Sequence, residues 1–336
     1  MSFQFNPPPP LPPWLSEELP FNRRIFKDGD HAMHFIDEGQ GTPILLLHGN
    51  PTWSYLWRKV IRIMARENVR VIAPDLIGLG LSSKPRDPGI HTLDFHANRT
   101  SALVEALNLD DLTISAQDWG GPIIAVMAAR NPERIRGAVF SNTAIRVPNR
   151  PPRRTAFHRF ARMPVISDLV FRGMMFPIPI LHLSQGDRKS IGRRERRAYR
   201  WPFRALRDRT APLALARLVP QSIDSPTFQT LREADTWARS FSGSVRLVWG
   251  MRDPILGRAL RGTMELCPDA SVVQTEAGHF LQEEVPQDLA AAILDVVSSE
   301  SLCGPIQAIF HPRSSGMETG GPARPSSWRS IVQGWL

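Results

Sequence analysis

One carboxylate, Asp118, lies in the stretch Ile114-Ser115-Ala116-Gln117-Asp118-Trp119-Gly120-Gly121-Pro122, with Ala116 two residues before it and Gly120 and Gly121 two and three after it. Small residues on both sides let the chain turn sharply and leave one side chain at the apex, the small-x-nucleophile-x-small spacing of a nucleophile elbow. Ser is the usual occupant and needs a base to become reactive. A carboxylate is already ionised at neutral pH and can attack carbon unaided. An Asp in this place also commonly caps the helix that follows, and this stretch alone weighs the two readings equally.

Two more residues could complete a reaction centre. His279, in Glu276-Ala277-Gly278-His279-Phe280, follows the last strand and can aim its ring back at the elbow; a satisfied loop histidine is the plain alternative. Asp253, in Trp249-Gly250-Met251-Arg252-Asp253-Pro254, stands four residues beyond a strand and could hold the imidazole in one tautomer, or simply be a turn Asp before Pro254. Their chain order, nucleophile then acid then histidine, is that of an α/β-hydrolase. Asn50, in His48-Gly49-Asn50-Pro51, and Trp119, beside Asp118, are further polar residues at the carboxyl ends of strands.

The elements that must position these residues alternate. Apolar runs at 44–47, 69–73, 112–114, 137–141, 245–249 and 271–275 read as buried strands, with a hairpin before them at 23–27 and 31–37. Helical stretches near 57–61, 93–107, 123–130, 228–241, 256–267 and 287–297 separate them, which implies a mostly parallel sheet flanked by helices and ligands beyond the carboxyl ends of its strands. The domain reading is therefore a Pro-rich arm at 1–20, a core at 21–144 and 222–297, a helical cap at 145–221 inserted after the strand ending near Ser141, and a poorly ordered tail at 298–336.

Composition narrows the class. Hydrophobic residues make up 42% of 336, enough for a large core, and Cys267 and Cys303 are too few for a disulfide framework. The Pro-rich start does not read as a signal peptide and no apolar run is long enough to span a bilayer, so a cytoplasmic protein without a membrane span is expected. The net charge of +9 is concentrated: residues 145–217 hold 18 Arg and Lys against four acids, an excess of +14. Apolar stretches within it, Leu169-Val170-Phe171 and Met174-Met175-Phe176, point to self-association, a possible homo-oligomer, or to contact with an acidic surface.

The motifs His48-Gly49-Asn50-Pro51-Thr52, Asp75 to Ser82, Gln117-Asp118-Trp119-Gly120-Gly121, Gly250-Met251-Arg252-Asp253 and Ala277-Gly278-His279-Phe280 together resemble the haloalkane dehalogenases of the α/β-hydrolase superfamily, over about residues 20–297. Most of these motifs are shared by the wider fold. The Asn after His-Gly combined with Asp-Trp at the elbow is the sharper signature. The resemblance implies that Asp118 displaces halide to form an alkyl ester, that Asn50 and Trp119 hold the halide through their side chains and the oxyanion through their backbone N–H groups, and that His279, oriented by Asp253, activates the water that hydrolyses the ester. It implies a small neutral halogenated substrate, water as co-substrate, halide as product, and neither metal nor cofactor. One branch of the family takes its acid from the loop after the strand before the cap; here that loop is Ser141-Asn142-Thr143-Ala144, which leaves Asp253 for the role.

Two rivals are weighed against it. Epoxide hydrolases share the fold and the nucleophilic Asp but need two cap tyrosines, and this chain has only Tyr55 and Tyr199, with Tyr55 ahead of the cap. A non-catalytic binding protein could use the Arg193–Arg197 run with Tyr199 and Trp201 as a phosphate-and-stacking surface, although such a run is more often a solvated helix face, and no nucleic acid is expected. Fluoroacetate dehalogenases normally carry Arg directly after the nucleophile; Trp119 in that place fits a neutral substrate.

Overall fold

A computed structural model describes residues 3–147, 156–220 and 222–299. Nine strands form one sheet: β1 (Gln4–Asn6), β2 (Arg23–Asp28), β3 (His31–Gly39), β4 (Thr42–Leu47), β5 (Val69–Pro74), β6 (Leu112–Gln117), β7 (Ile135–Ser141), β8 (Ser244–Gly250) and β9 (Ser271–Thr275), in the order β1-β2-β3-β5-β4-β6-β7-β8-β9. The first three are antiparallel and β3 joins β5 antiparallel; from β5 onward every pairing is parallel. β6 is buried along its whole length, as a central parallel strand must be, whereas β9 at the edge is half exposed. The Pro-rich arm is more than an extended strap, since β1 pairs with β2 and a helical turn, α1 (Pro13–Ser16), follows it.

The helices are α2 (Arg58–Met64), α3 (Leu93–Ala106), α4 (Gly120–Arg130), then within the insertion α5 (Ala156–Ala161), α6 (Ile166–Asp168), α7 (Arg193–Arg200) and α8 (Thr210–Arg217), then α9 (Pro226–Ser240), α10 (Leu260–Leu266), α11 (Leu281–Glu284) and α12 (Pro286–Ser298). Thr92 and Ser225 start α3 and α9 by accepting the backbone N–H three residues on, and Pro226 adds a preset φ at the first position of α9. Helix α4 is apolar on every face, so it can exist only enclosed: it packs between the sheet and the pair α3 and α9. Right-handed crossovers put α2 on the opposite face of the sheet, where α12 packs against it. Strand β4 thus delivers Asn50, β6 delivers Asp118, β8 delivers Asp253 and β9 delivers His279, all at the same end of the sheet.

Between β7 and β8 the described chain is helical, with no strand: besides α5 to α8 it contains a wide helical turn at Leu169–Gly173 and a tight one at Ile178–Ser184. The tail read from 298 onward lies, from residue 300, outside the described residues.

A buried ionic cluster joins arm, core and insertion. Arg58 is fully enclosed and grips Glu283 through Nη1 at 2.6 Å and Nη2 at 3.0 Å, Lys59 Nζ reaches the same carboxylate at 3.0 Å, and the Tyr199 hydroxyl of α7 donates to it at 2.7 Å. From the arm, Glu18 meets Arg58 at 3.4 Å and Arg194 at 2.6 Å. Burial alone would raise the Glu283 pKa, but the Arg58 charge holds it below the usual carboxylate value. Removing one partner of such a cluster leaves uncompensated buried charge. Glu283→Ala is therefore expected to destabilise the fold by about 3–5 kcal/mol in denaturant unfolding; an unchanged midpoint would mean the cluster adds nothing.

Candidate active site

The chain turns at Asp118 with φ 52°, left-handed backbone that a non-glycine residue adopts only under constraint. Four hydrogen bonds supply it. The Asp118 N–H donates to Asn142 O at 3.1 Å, the Asp118 carbonyl accepts from Gly121 N at 3.1 Å and Thr143 Oγ1 at 2.7 Å, and carboxylate Oδ1 accepts from the Asn50 N–H at 2.7 Å. The turn also needs glycine at two places: a Cβ on Gly49 would run into the Asp118 side chain and one on Gly121 into Thr143.

Because Oδ1 is occupied, Oδ2 is the free oxygen, and it lies 3.6 Å from His279 Nε2. On the far side of the ring, His279 Nδ1 donates to Asp253 Oδ2 at 2.8 Å. Asp253 is 6% exposed; its Oδ1 accepts from the Ile255 N–H at 2.7 Å and its Oδ2 also from Asn142 Nδ2 at 2.7 Å. Burial would raise the Asp253 pKa, but His279, Asn142 and the Ile255 N–H hold it below the ordinary value. The ring of His279 is likewise buried, which by itself would lower its pKa, yet the two carboxylates outweigh that and lift it to about 10.

The structure thus brings Asp118, His279 and Asp253 together, and Asn50 beside them. One Asn50 Nδ2–H donates to Pro212 O of α8 at 3.0 Å, leaving the other N–H of that amide. The Trp119 indole N–H and backbone N–H have no hydrogen-bond partner among the described residues, and of the two expected backbone donors that of Asn50 is bonded to Asp118 Oδ1.

Four residues that contribute escaped the sequence reading. Asn142, seen there only as a residue that is not a carboxylate, holds both halves of the site: its carbonyl takes the elbow N–H while its side chain donates to Asp253 Oδ2 and Gly250 O and accepts from Gly250 N at 2.7 Å. Gln117 is fully buried; its Nε2 donates to His279 O at 3.0 Å and lies 3.1 Å from His279 Nε2, so the amide is held against the ring. Ser184 and Gln185 of the insertion clamp the histidine loop, Ser184 O accepting the His279 N–H at 2.8 Å and Gln185 Oε1 the Phe280 N–H at 2.9 Å. A polar residue one position before an elbow nucleophile is the only sequence signal that could have flagged Gln117.

The rival surfaces do not form. Tyr199 and Tyr55 are both fully buried with their rings 5.3 Å apart, and the Tyr199 hydroxyl is committed to Glu283. Trp201 packs edge-on against Trp14 of the arm, and Arg197 stacks on that Trp14 ring at 4.0 Å.

A family description, the alpha/beta hydrolase fold, matches residues 42–286. The chain belongs to the α/β-hydrolase fold family. Among its relatives in that family, Haloalkane dehalogenase 2 of Mycobacterium tuberculosis is 33% identical over 303 residues, covering 88% of this chain and 99% of the relative. The cis-3-alkyl-4-alkyloxetan-2-one decarboxylase of Shewanella oneidensis is 30% identical over 285 residues, 83% of this chain and 89% of its own. Among solved α/β-hydrolase structures, the haloalkane dehalogenase DatA of Agrobacterium tumefaciens superposes with a TM-score of 0.72 at 25% identity, covering 82% of this chain and 97% of that one.

The charges facing His279 set a sign. Of the two carboxylates that raise its pKa, Asp118 becomes neutral whenever its oxygen carries an alkyl group. Asp118→Asn mimics that loss of charge at constant size, and the His279 pKa is expected to fall from its wild-type value when the imidazole is titrated by NMR. A value unchanged or higher would show that Asp118 does not sense the ring.

Proposed function

We propose that this protein is a haloalkane dehalogenase, a hydrolase acting on carbon–halide bonds that works through a covalent alkyl ester of Asp118. The observation that carries the reading is the division of labour between the two oxygens of Asp118: Oδ1 is held by the Asn50 N–H and Oδ2 is free. Oδ2 attacks the carbon in line, the new C–O bond forming as the C–X bond breaks and the halogen leaves with the electron pair as halide. The second N–H of the Asn50 amide and the Trp119 indole N–H receive it. No base is needed in this step.

The ester is opened by water. His279 Nε2 takes a proton from a water molecule as its oxygen attacks Cγ of Asp118, and the negative charge moves to Oδ1, where the Asn50 N–H already stands at 2.7 Å. Collapse expels the alkoxide, which carries the original Oδ2 and takes the proton back from His279 to leave as alcohol. Alkylation itself prepares the base, because esterified Asp118 no longer helps hold a proton on His279. Asp253, fixed by Asn142 and the Ile255 N–H, keeps Nε2 aimed at the water.

A neutral substrate fits, since Trp119 and not an Arg stands directly after the nucleophile. The Shewanella relative gives a specific reason to test oxetan-2-ones beside haloalkanes, because a strained cyclic ester would also expose an electrophilic carbon to Oδ2. An epoxide hydrolase would need two free tyrosines above the nucleophile, and the only two in the chain are enclosed.

The two steps use different residues and can be separated. His279→Phe is expected to release at most one halide per enzyme and to accumulate protein heavier by the alkyl group at Asp118, while Asp118→Ala releases none. In wild-type enzyme, turnover in heavy-oxygen water should place label in the Asp118 carboxylate. Label in the alcohol in a single turnover, with no adduct in the His279→Phe variant, would assign attack to water directly and remove Asp118 as nucleophile. A panel of chloro-, bromo- and iodoalkanes run beside epoxides and oxetan-2-ones reads out the substrate class.

A further inference from the structure

One face of the insertion has no role in the chemistry above. Val165 (77% exposed), Leu169 (68%), Met174 (66%), Leu206 (59%) and Ile166 stand in solvent. They are neighbours: the turn at Leu206–Asp208 packs on the turn at Leu169–Gly173, and Arg209 Nη1 fastens the two by donating to Arg172 O at 2.7 Å. Phe171, next to Leu169 in sequence, points inward and forms a small separate core with Ala161, Leu213 and Ala216, against which Phe160 and Phe176 pack. That core accounts for how the turn is held; it does not account for the apolar side chains on its outside. Val165 is a β-branched residue at φ 64°, so the outermost of them is kept there against its own backbone preference.

The rim of this patch is cationic. Segments 159–174 and 204–209 carry six Arg against two acids, Asp168 and Asp208. Both acids have partners, Asp168 with Arg172 at 3.8 Å and Arg217 at 3.2 Å, and Asp208 with Arg207 at 3.9 Å. Arg204 and Arg207 are exposed. A second copy of the chain is a poor cover, because a two-fold contact lays a patch against itself and would press these arginines together, within a region whose overall excess is +14. An anionic, apolar surface is complementary on both counts.

The shape agrees. Helical segments Ile166–Gly173 and Ile178–Ser184 are together apolar enough for a membrane span but meet at 89°, and among the described residues no single helix is long and apolar enough to cross one. They present a corner that can enter an interface without passing through it. The second segment ends at Ser184, whose carbonyl holds the His279 N–H at 2.8 Å, so the corner is hydrogen-bonded to the loop that carries His279.

We propose that this corner docks reversibly on an anionic lipid surface, Val165, Ile166, Leu169, Met174 and Leu206 entering the interface while Arg172, Arg204 and Arg207 meet the headgroups. This goes beyond the dehalogenase reading and is tested without turnover, by cosedimentation of the full chain with vesicles of phosphatidylcholine alone or mixed with phosphatidylglycerol. The expected result is binding to the mixed vesicles that weakens several-fold as salt rises. Val165→Ser with Leu169→Ser should reduce it at least about tenfold through lost apolar insertion. Arg204→Gln with Arg207→Gln should weaken binding to the mixed vesicles about fivefold for each arginine removed. All four side chains are exposed, with Arg204 stacked on the Trp201 ring at 3.7 Å, so thermal unfolding should match wild type for Val165→Ser with Leu169→Ser and fall only slightly for Arg204→Gln with Arg207→Gln, and halide release from a water-soluble haloalkane should match wild type in both. Failure of the wild-type chain to bind mixed vesicles, or binding by both variants equal to wild type, overturns the proposal. So does concentration-dependent assembly that Val165→Ser with Leu169→Ser abolishes while vesicles are ignored, which would give the face to a second copy.

Discussion

Everything at the reaction centre depends on one strained turn. Asp118 sits in left-handed backbone, a conformation costing on the order of 1–3 kcal/mol for a residue with a side chain, and it is sustained because neighbouring loops hydrogen-bond both its N–H and its carbonyl. The strain has a geometric return. It lifts the carboxylate off the end of β6, with one oxygen on the Asn50 N–H and the other toward His279. A relaxed extended backbone would point the same side chain along the face of the sheet.

Asn142 shows how a fold makes one residue serve two loops. Its backbone clamps the elbow and its side chain clamps the Asp253 turn, so Asp118 and Asp253 are registered through a single residue at the end of β7. The position is central because β7 lies between β6 and β8 in the sheet. A short neutral amide suits it: it can donate to a carboxylate and accept from a backbone N–H together, whereas a carboxylate there would repel Asp253.

The insertion is tied to the core by apolar packing, with Ile178, Leu181, Phe203 and Leu215 inside the main hydrophobic core, and by polar contacts. Tyr199 reaches Glu283, Pro212 O takes the Asn50 amide, and Ser184 and Gln185 hold the histidine loop. Each contact fixes a loop at the site or beside it, so movement of the insertion would be felt at both Asn50 and His279. The Arg58–Glu283 pair completes this frame from below; its charges are worth keeping buried only because every partner is present at once.

The sequence by itself determined the central strands, most helices and which polar residues meet beyond the sheet, because each leaves a local trace. Buried parallel strands read as unbroken apolar runs, Ala- and Ile-rich α4 reads as an enclosed helix, and an elbow needs small residues at fixed spacings around Asp118. His279 and Asp253 were legible for the same reason, since each follows a strand whose end must lie beside the elbow in a parallel sheet. Only the tertiary structure decided which oxygen of Asp118 is free, that Asn142 and Gln117 brace the acid and the base, and that Tyr199 is an enclosed partner of Glu283 instead of a surface ring. Those facts rest on contacts between residues far apart in the chain. A polar side chain's sequence neighbours state what it can bond, and only the packing of distant loops states what it does.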